Sequence, residues 1–306
     1  MIMAAEQREG LIIKGIAGFY YVKSGDEVFR CKARGIFKQK DIKPAVGDRV
    51  RLEIIPDNDD SLITHIFPRK NSFIRPFIAN VDCFIIVAAA AEPSPVLQVI
   101  DRLFIMAEKS GTEALLCINK KDLTDESRGK KGIRAKESLR LLEEVYSHIY
   151  PVVELGALAG EGTERLRELI KGKTSAMAGP SGVGKSTILN ALAPAAAAET
   201  GDISEKSKRG KHTTRHSELF YTGEDTFIFD TPGFTSFDIL EADEYELQHF
   251  YPDIEAFAGN CRYSDCIHVS EPGCGVTEAL KEGKISRIRY ESYVSNLEEI
   301  RRSKQY

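Results

Sequence analysis

The sequence lacks an apolar run long enough to cross a bilayer. Its longest such run, residues 81–91, contains Asp82 and is about half as long as a membrane-spanning helix. Residues 1–10 also lack the basic-then-apolar pattern of a secretory signal. We therefore expect a cytoplasmic protein without a membrane partner.

A strong excess of either charge is missing as well. The 42 Lys and Arg residues are nearly balanced by 46 Asp and Glu residues, which leaves a formal net charge of −4. The chain as a whole therefore does not attract a polyanion, and any nucleic-acid site must be a local patch. With 306 residues, the chain is long enough for two or three domains that each bury a core.

Cysteine is scarce, and its distribution does not suggest a disulfide framework. Cys31, Cys83 and Cys117 stand singly in apolar, strand-like surroundings and are predicted to be buried thiols. The other three lie close together in sequence, with a histidine between them. This cluster is Cys261-x4-Cys266-x-His268-x5-Cys274.

Three thiolates and one imidazole complete the tetrahedral shell of a zinc ion and leave no open position. The cluster therefore predicts one structural zinc per chain, which would supply folding energy to a helix-rich tail with an otherwise thin core. The alternative is three buried cysteines beside an unrelated histidine. The tail also carries a basic, aromatic set that is compatible with RNA or with a solvated helix: Lys284, Arg287, Arg289, Tyr290, Tyr293, Arg301 and Arg302.

The first 75 residues alternate short β-type runs with turn residues. Strands are predicted at 11–17, 19–23, 27–33 and 48–55, which together suggest a small barrel. Between Arg30 and Arg51 eight basic residues stand against two acidic ones, a local excess of six positive charges. With Phe29, Phe37 and two nearby tyrosines, this pattern is typical of an oligonucleotide-binding face. A solvated basic face over core aromatics is the alternative.

From Val81 onward, apolar strands alternate with amphipathic helices. Strands are predicted at 81–90, 114–118, 152–155, 218–221 and 226–229, and helices at 96–109, 139–149 and 163–171. The highly charged stretch 123–136 is predicted to be an exposed loop or a helix start. This order indicates an α/β fold with a doubly wound, mostly parallel sheet.

A glycine-rich motif, G-x-x-x-x-G-K-S, separates an apolar run at 175–178 from a helix-like run at 188–192. Glycines admit close backbone approaches, so successive N–H groups at the helix N-terminus can bind phosphate. Lys185 would reach the β and γ phosphates, and the Ser186 hydroxyl would bind Mg²⁺. The alternative is a glycine-rich turn before an ordinary helix. The predicted phosphate-binding residues are Gly179, Pro180, Ser181, Gly182, Val183, Gly184, Lys185, Ser186 and Thr187.

A second motif, Asn119-Lys120-Lys121-Asp122, follows a buried strand. In GTPases, N-K-x-D in this position recognises guanine. Here the Asp122 carboxylate can accept hydrogen bonds from both the N1–H and the N2–H of the base. A polar turn after a strand is the alternative. Beside a phosphate loop, the motif favours GTP and argues against a kinase or ATPase that acts on a metabolite.

A third motif, Asp230-Thr231-Pro232-Gly233, follows a predicted strand. Asp230 would lie near Mg²⁺ and the Gly233 N–H near the γ-phosphate. The polar segment 200–215 is of a kind that becomes ordered around Mg²⁺ and the γ-phosphate. Within this segment, Thr214 is favoured over Thr213 as the Mg²⁺ ligand. Intact Lys185, Ser186 and Asp230 argue against a passive RNA-binding protein that has lost its activity.

Phe234 stands directly after D-x-x-G, where many GTPases hold a glutamine that orients water. A phenyl ring cannot bond water, so a polar group from elsewhere must act or intrinsic hydrolysis is slow.

The order of the three motifs is unusual. Ordinary GTPases carry the phosphate loop first, then D-x-x-G and then N-K-x-D, whereas here N-K-x-D precedes both. Circular permutation produces this order while leaving the fold and its site intact. It also makes the segment after Gly233 lead directly into the C-terminal domain.

These motifs in this order resemble the circularly permuted GTPases that depend on the small ribosomal subunit, the ribosome biogenesis GTPase A family. The resemblance extends over the whole chain and includes R-G-K-H-T-T-R, D-T-P-G-F and the Cys/His cluster. It implies an oligonucleotide-binding (OB-type) β-barrel at 1–75, a permuted P-loop GTPase domain at 76–235 and a mainly helical zinc-binding domain at 236–306. It also implies GTP hydrolysis stimulated by the small subunit during late maturation. We expect a monomer that binds GTP, Mg²⁺ and ribosomal RNA.

The resemblance also assigns site residues. The base contacts are Asn119, Lys120, Asp122, Gly156 and Ala157. Ser186, Thr214 and Asp230 are the Mg²⁺ residues, and His212, Lys185 and Thr214 the catalytic ones. In the family a switch histidine is a candidate for the polar group that Phe234 cannot supply, and here that histidine is His212. The alternative is a basic-loop histidine that touches only solvent or RNA phosphate. The chain departs from the family at Leu155-Gly156-Ala157, where the family usually has Ser-Ala, and in the run Ala195–Ala198.

Overall fold

The structure, a computed structural model, describes residues 6–39, 41–55, 60–194, 217–230, 234 and 242–304. The chain divides into two compact units that interleave in sequence. The first contains Met1–Cys83, Leu166–Met177 and Ser186–Phe234, and the second Phe84–Arg165, Ala178–Lys185 and Thr235–Tyr306. Across the described residues, we find no helix that combines the length and the apolarity needed to span a membrane.

The regular elements follow the predicted alternation. The strands are β1 (Glu6–Ile16), β2 (Phe19–Ser24), β3 (Glu27–Ala33), β4 (Arg49–Ile54), β5 (Ser61–Ile66), β6 (Ser72–Ile74), β7 (Phe77–Ala79), β8 (Cys83–Ala89), β9 (Glu113–Asn119), β10 (Val152–Glu154), β11 (Thr174–Ala178), β12 (Glu218–Gly223) and β13 (Thr226–Asp230). The helices are α1 (Gly35–Gln39), α2 (Leu97–Lys109), α3 (Lys130–Tyr146), α4 (Thr163–Ile170), α5 (Lys185–Leu192), α6 (Pro252–Ala258), α7 (Gly275–Lys281) and α8 (Arg287–Ser303).

In the first unit, five strands close into the predicted barrel. Their order is β1-β2-β3-β5-β4, and β4 pairs back onto β1. The long strand β1 pairs with two strands: its first half pairs with β4 and its second half pairs with β2. Alternate apolar side chains such as Ile12, Val22 and Leu52 fill the interior. The sequence patterns did not indicate β5 or the short helix α1.

Part of the basic stretch of the barrel is paired with carboxylates. Arg30 and Lys32 both contact Asp60, at 2.5 and 2.7 Å, and Arg34 pairs with Glu53 at 2.7 Å. Both carboxylates lie outside the sequence window in which the charges were counted. The excess of six positive charges therefore overstates the net charge of this face.

Beyond the barrel, the first unit continues into an antiparallel hairpin of β12 and β13, and β13 pairs in parallel with β11. β12 also pairs with β1 at Lys14 and Glu218, whose side chains form an ion pair of 2.7 Å. The β-hairpin is an exception to the mostly parallel order that the sequence predicted.

The second unit contains the strand order β10-β9-β8. Every residue of β8 is buried, as expected of a strand that is covered on both faces. Cys83 and Cys117, on β8 and β9, are buried thiols as predicted, and so is Cys31 in the barrel. The charged stretch after β9 forms two short 3₁₀ turns, and α3 begins at Lys130.

The C-terminal part of this unit packs α6, α7 and α8 around aromatic and aliphatic side chains. Tyr251, Ile254, Val276, Tyr293 and Leu297 are all buried in one cluster. The expectation of a thin core is therefore wrong. Burial of aromatic rings supplies apolar area that their scattered positions in the sequence did not reveal.

Two residues assigned to a basic C-terminal surface are in fact interior. Arg289 is 1% exposed and pairs with Asp101 and Asp253, and Tyr293 is buried with its hydroxyl donating to the Ile267 carbonyl. The prediction is wrong for Arg289 because ion partners distant in sequence compensate its buried charge. It is wrong for Tyr293 because a main-chain carbonyl accepts from its buried hydroxyl.

Candidate nucleotide site and metal centre

The glycine-rich loop connects β11 to α5 in the predicted order of strand, turn and helix. Gly179, Gly182 and Gly184 all have positive φ, at 150°, 81° and 100°. A Cβ on Gly179 would overlap the Val87 carbonyl, and one on Gly184 would overlap the Asn119 amide. Two of the loop's glycines are thus required by close approaches as well as by backbone conformation.

Lys185 opens α5, and its ammonium group is folded over the loop. Its Nζ donates to the carbonyl oxygens of Gly179 and Pro180, at 2.6 and 2.7 Å. Partial burial lowers the pKa of Lys185 from its usual 10.5. A half-buried cation whose partners, in the part of the chain that the structure describes, are neutral carbonyls is well suited to bind an anion. Ser186 and Thr187 follow in the first turn of α5.

Asn119 ends β9 and connects two loops. The residue is 3% exposed, its Nδ2 donates to the Val183 carbonyl at 2.9 Å, and its Oδ1 accepts from the Ala157 N–H at 3.3 Å. One side chain therefore holds the phosphate loop and the segment around Ala157 at the carboxyl end of β9. A buried side-chain amide whose donor and acceptor are both hydrogen-bonded fixes the positions of the main-chain groups that it contacts.

The remaining residues of N-K-x-D spread around this end of β9. Lys120 has a positive φ of 62°, and its Nζ donates to the Glu92 carbonyl. Asp122 lies exposed on the 3₁₀ turn that follows. The carboxylate assigned to the base is therefore accessible to a ligand.

Lys121, the variable residue of the motif, is an ion-pair centre that the sequence did not reveal. Its Nζ lies 2.7 Å from Glu161 and 3.0 Å from Glu154, and hydrogen bonds to these carboxylates raise its pKa. Its main-chain N–H donates to the Leu155 carbonyl at 2.9 Å. Lys121 thus ties the guanine motif to both sides of the segment that contains Gly156 and Ala157.

That segment, residues 155–162, forms a closed turn. Gly156 and Glu161 exchange main-chain hydrogen bonds of 3.1 and 3.3 Å, and the Leu155 side chain is fully buried. A Cβ on Gly162 would overlap the Glu154 carbonyl. The atypical Leu-Gly-Ala sequence therefore still forms an ordered turn beside Asn119, and it leaves Leu158 85% exposed at its tip.

In the first unit, Asp230 is the last residue of β13, opposite Glu218 of β12. Phe234 is buried, and its ring packs edge-on against Phe73, with centroids 5.4 Å apart. The Phe234 ring is therefore part of the interior of this unit. The predicted residues His212, Thr214 and Gly233, together with the run Ala195–Ala198, lie outside the described residues.

The four predicted metal ligands converge at one point in the second unit. Their donor atoms all lie within 4.8 Å of one another. The Nδ1 of His268 is 3.4 Å from the sulfurs of both Cys261 and Cys274, which are 3.8 Å apart. Burial lowers the pKa of His268 and raises that of Cys266 to about 12. A neutral imidazole and three cysteines that give up their protons as thiolates can hold a tetrahedral metal ion.

A family model described as RsgA GTPase matches residues 66–240, and one described as RsgA N-terminal domain matches residues 9–63. The chain belongs to the RsgA GTPase family. The predicted family is thereby confirmed, and GTP hydrolysis agrees with the description of the model.

Relatives within the RsgA family match over nearly their full length. The chain is 42% identical over 300 residues to "Small ribosomal subunit biogenesis GTPase RsgA" of Alkaliphilus metalliredigens, covering 97% of this chain and 99% of the relative. It is 44% identical over 293 residues to the protein of the same name from Carboxydothermus hydrogenoformans, covering 95% and 97%.

Two solved structures show the same fold. YjeQ from Thermotoga maritima is 36% identical and matches with a TM-score of 0.80, covering 96% of this chain and 99% of that one. YloQ, described as a circularly permuted GTPase, is 31% identical and matches with a TM-score of 0.79, covering 99% and 98%. The predicted fold class, an OB-type barrel with a permuted GTPase fold and a C-terminal Cys/His cluster, is confirmed.

Proposed function

We propose that this protein hydrolyses GTP to GDP and phosphate as a step in the late maturation of the small ribosomal subunit, which stimulates the reaction. The observation that carries this proposal is the pair of hydrogen bonds made by Asn119. They join a guanine motif to a phosphate loop that follows it in the permuted order. The names of the relatives supply the ribosomal context.

Each motif has a separate role in this proposal. Asn119, Lys120, Asp122, Gly156 and Ala157 hold the guanine base. The phosphate contacts are made by Gly179, Pro180, Ser181, Gly182, Val183, Gly184, Lys185, Ser186 and Thr187, with Gly233 at the γ-phosphate.

Ser186, Thr214 and Asp230 are proposed to hold Mg²⁺, which, when bound, neutralises charge on the phosphates. Lys185 and Thr214 act on the transferring phosphoryl group, and His212 orients the attacking water. Phe234 cannot take that last role because it has no polar atom and its ring packs against Phe73.

Zinc is the metal we propose for Cys261, Cys266, His268 and Cys274. Zinc bonds to sulfur of about 2.3 Å separate two sulfurs of a tetrahedral shell by roughly 3.8 Å. The sulfurs of Cys261 and Cys274 are 3.8 Å apart. One zinc per chain would be structural, since the four ligands complete its shell.

We divide the chain into an RNA-binding barrel (1–75), the permuted GTPase domain (76–235) and the zinc domain (236–306). Ribosomal RNA is the proposed partner of the barrel, where cations lie over aromatic rings: Arg30 and Lys32 are 5.3 and 5.0 Å from the centroid of Phe19. The protein would act as a cytoplasmic monomer that engages the subunit with GTP and releases it with GDP.

The decisive experiment is GTP turnover with and without purified small subunits. We expect slow turnover alone and a large stimulation by small subunits but not by large ones. Lys185→Ala should abolish both rates, which shows that the activity belongs to this site. Unchanged turnover with small subunits would refute the stimulated GTPase, and tighter binding of ATP than of GTP would indicate a different enzyme.

A further inference from the structure

The His268 ring is held at both of its nitrogens. Its Nδ1 faces the sulfurs of Cys261 and Cys274, and its Nε2 lies 2.8 Å from Oε1 of Gln248. The residue is 1% exposed, so water cannot easily replace Gln248 at this nitrogen. Gln248 is not among the predicted ligands and has no place in the nucleotide motifs.

The orientation of the Gln248 amide follows from its second hydrogen bond. Its Nε2 donates to the Tyr245 carbonyl at 3.0 Å, and a carbonyl can only accept. The atom that faces His268 is therefore the amide oxygen, which is also only an acceptor. His268 must then carry its proton on Nε2, so that the lone pair of Nδ1 faces the sulfurs of Cys261 and Cys274.

Gln248 reaches the cluster from a separate part of the chain. The four ligands lie between residues 261 and 274, whereas Gln248 is on the 3₁₀ helix Leu247–Phe250, fifteen residues after Gly233. Leu247 anchors this helix in the apolar cluster. The neighbouring His249 is exposed and pairs with Glu255 at 2.9 Å, so it does not compete for the site.

We propose that Gln248 is an outer-shell positioning residue of the metal centre, which fixes His268 as an Nδ1 ligand and thereby strengthens zinc binding. Such partners orient the ring and raise the basicity of the ligand, and their loss typically weakens metal binding by about 10- to 100-fold. Zinc affinity consequently depends on the position of the 3₁₀ helix Leu247–Phe250, which carries Gln248. The inference rests on the zinc site proposed above.

The test is zinc affinity of the full-length protein, measured by competition with a chromophoric chelator. Gln248→Leu keeps the size of the side chain but removes its acceptor, and it should weaken zinc binding by about 10- to 100-fold. Gln248→Glu keeps an acceptor and should retain most of the affinity. Gln98→Leu is the control, because the Gln98 amide also makes a hydrogen bond in this unit, to Ser295 at 3.1 Å, but far from the ligands in sequence.

A second measurement needs no substitution. In the zinc-loaded protein labelled with ¹⁵N at histidine, long-range NMR correlations should show His268 bound through Nδ1 and protonated at Nε2. Binding through Nε2, or unchanged affinity in Gln248→Leu, would overturn the inference while leaving the zinc site intact. A wild-type chain that binds no zinc would overturn both proposals.

Discussion

The side-chain amide of Asn119 donates to the main-chain oxygen of Val183 across a distance of 2.9 Å, at the centre of the glycine-rich loop. The same side chain accepts from the N–H of Ala157. Asn119, a residue of the N-K-x-D motif, therefore positions both the glycine-rich loop and the turn at residues 155–162. A ligand that contacts this motif, the loop and the turn must fit an arrangement that Asn119 establishes before binding.

Replacing Asn119 by alanine should weaken GTP binding by roughly tenfold or more, because the buried carbonyl of Val183 would lose its partner. Fluorescent guanine-nucleotide titration measures this loss. Asn190→Ala, on an exposed position of α5, is the control and should bind normally. Equal affinities in the two variants would contradict the assigned role of Asn119.

Lys121→Met should weaken GTP binding by about threefold, since each half-exposed ion pair contributes about 0.2–1 kcal/mol. The effect should shrink at high salt, which screens the pairs with Glu154 and Glu161. Lys136→Met is a matched control, because Lys136 is similarly exposed and pairs with Glu126. The prediction fails if both variants respond alike to salt.

Gly184→Ala should abolish measurable nucleotide binding, because its Cβ would meet the Asn119 amide and displace it from Val183. Gly172→Ala separates this clash from backbone strain, since Gly172 has a φ of 70° but open space around its Cβ position. We expect only about 1 kcal/mol of destabilisation there and normal nucleotide affinity. Isothermal titration calorimetry with GTP distinguishes the two variants. Measurable GTP binding by Gly184→Ala would refute the steric argument.

Arg289→Met should destabilise the second unit by about 3–5 kcal/mol, because the buried Asp101 and the partly buried Asp253 would lose their cationic partner. Thermal unfolding followed by circular dichroism would show a clearly lowered transition. Arg287→Met, two residues earlier on the exposed face of α8, should leave the transition nearly unchanged. A stable Arg289→Met variant would show that solvent or other groups compensate the two carboxylates.

His212→Ala should slow subunit-stimulated turnover on the order of 100-fold while sparing GTP affinity, if this histidine positions the attacking water. Steady-state turnover with saturating small subunits, beside equilibrium nucleotide binding, separates the two effects. His148→Ala changes an exposed histidine that follows α3 and serves as the control. An unchanged stimulated rate would make His212 an ordinary residue of a basic loop.

Local patterns predicted most of the elements correctly. The all-apolar β8, the amphipathic α2 and the glycine-rich turn before α5 were predictable because each depends on a short repeat of residue types. The patterns missed β5 and the β6–β7 hairpin, whose short runs carry weak signals. They also failed at Arg289, where a charged residue on a helix was read as surface.

The amino-acid order alone determined the family, the permutation and the four members of the Cys/His cluster. Each depends on which residue types occur at which spacing, and such information is local. Tertiary structure decided which partners those residues meet: Asn119 with Val183, Lys121 with Glu154 and Glu161, and His268 with Gln248. These pairs are brought together by the packing of strands and helices, and the sequence carries no direct signal for contacts between positions so far apart.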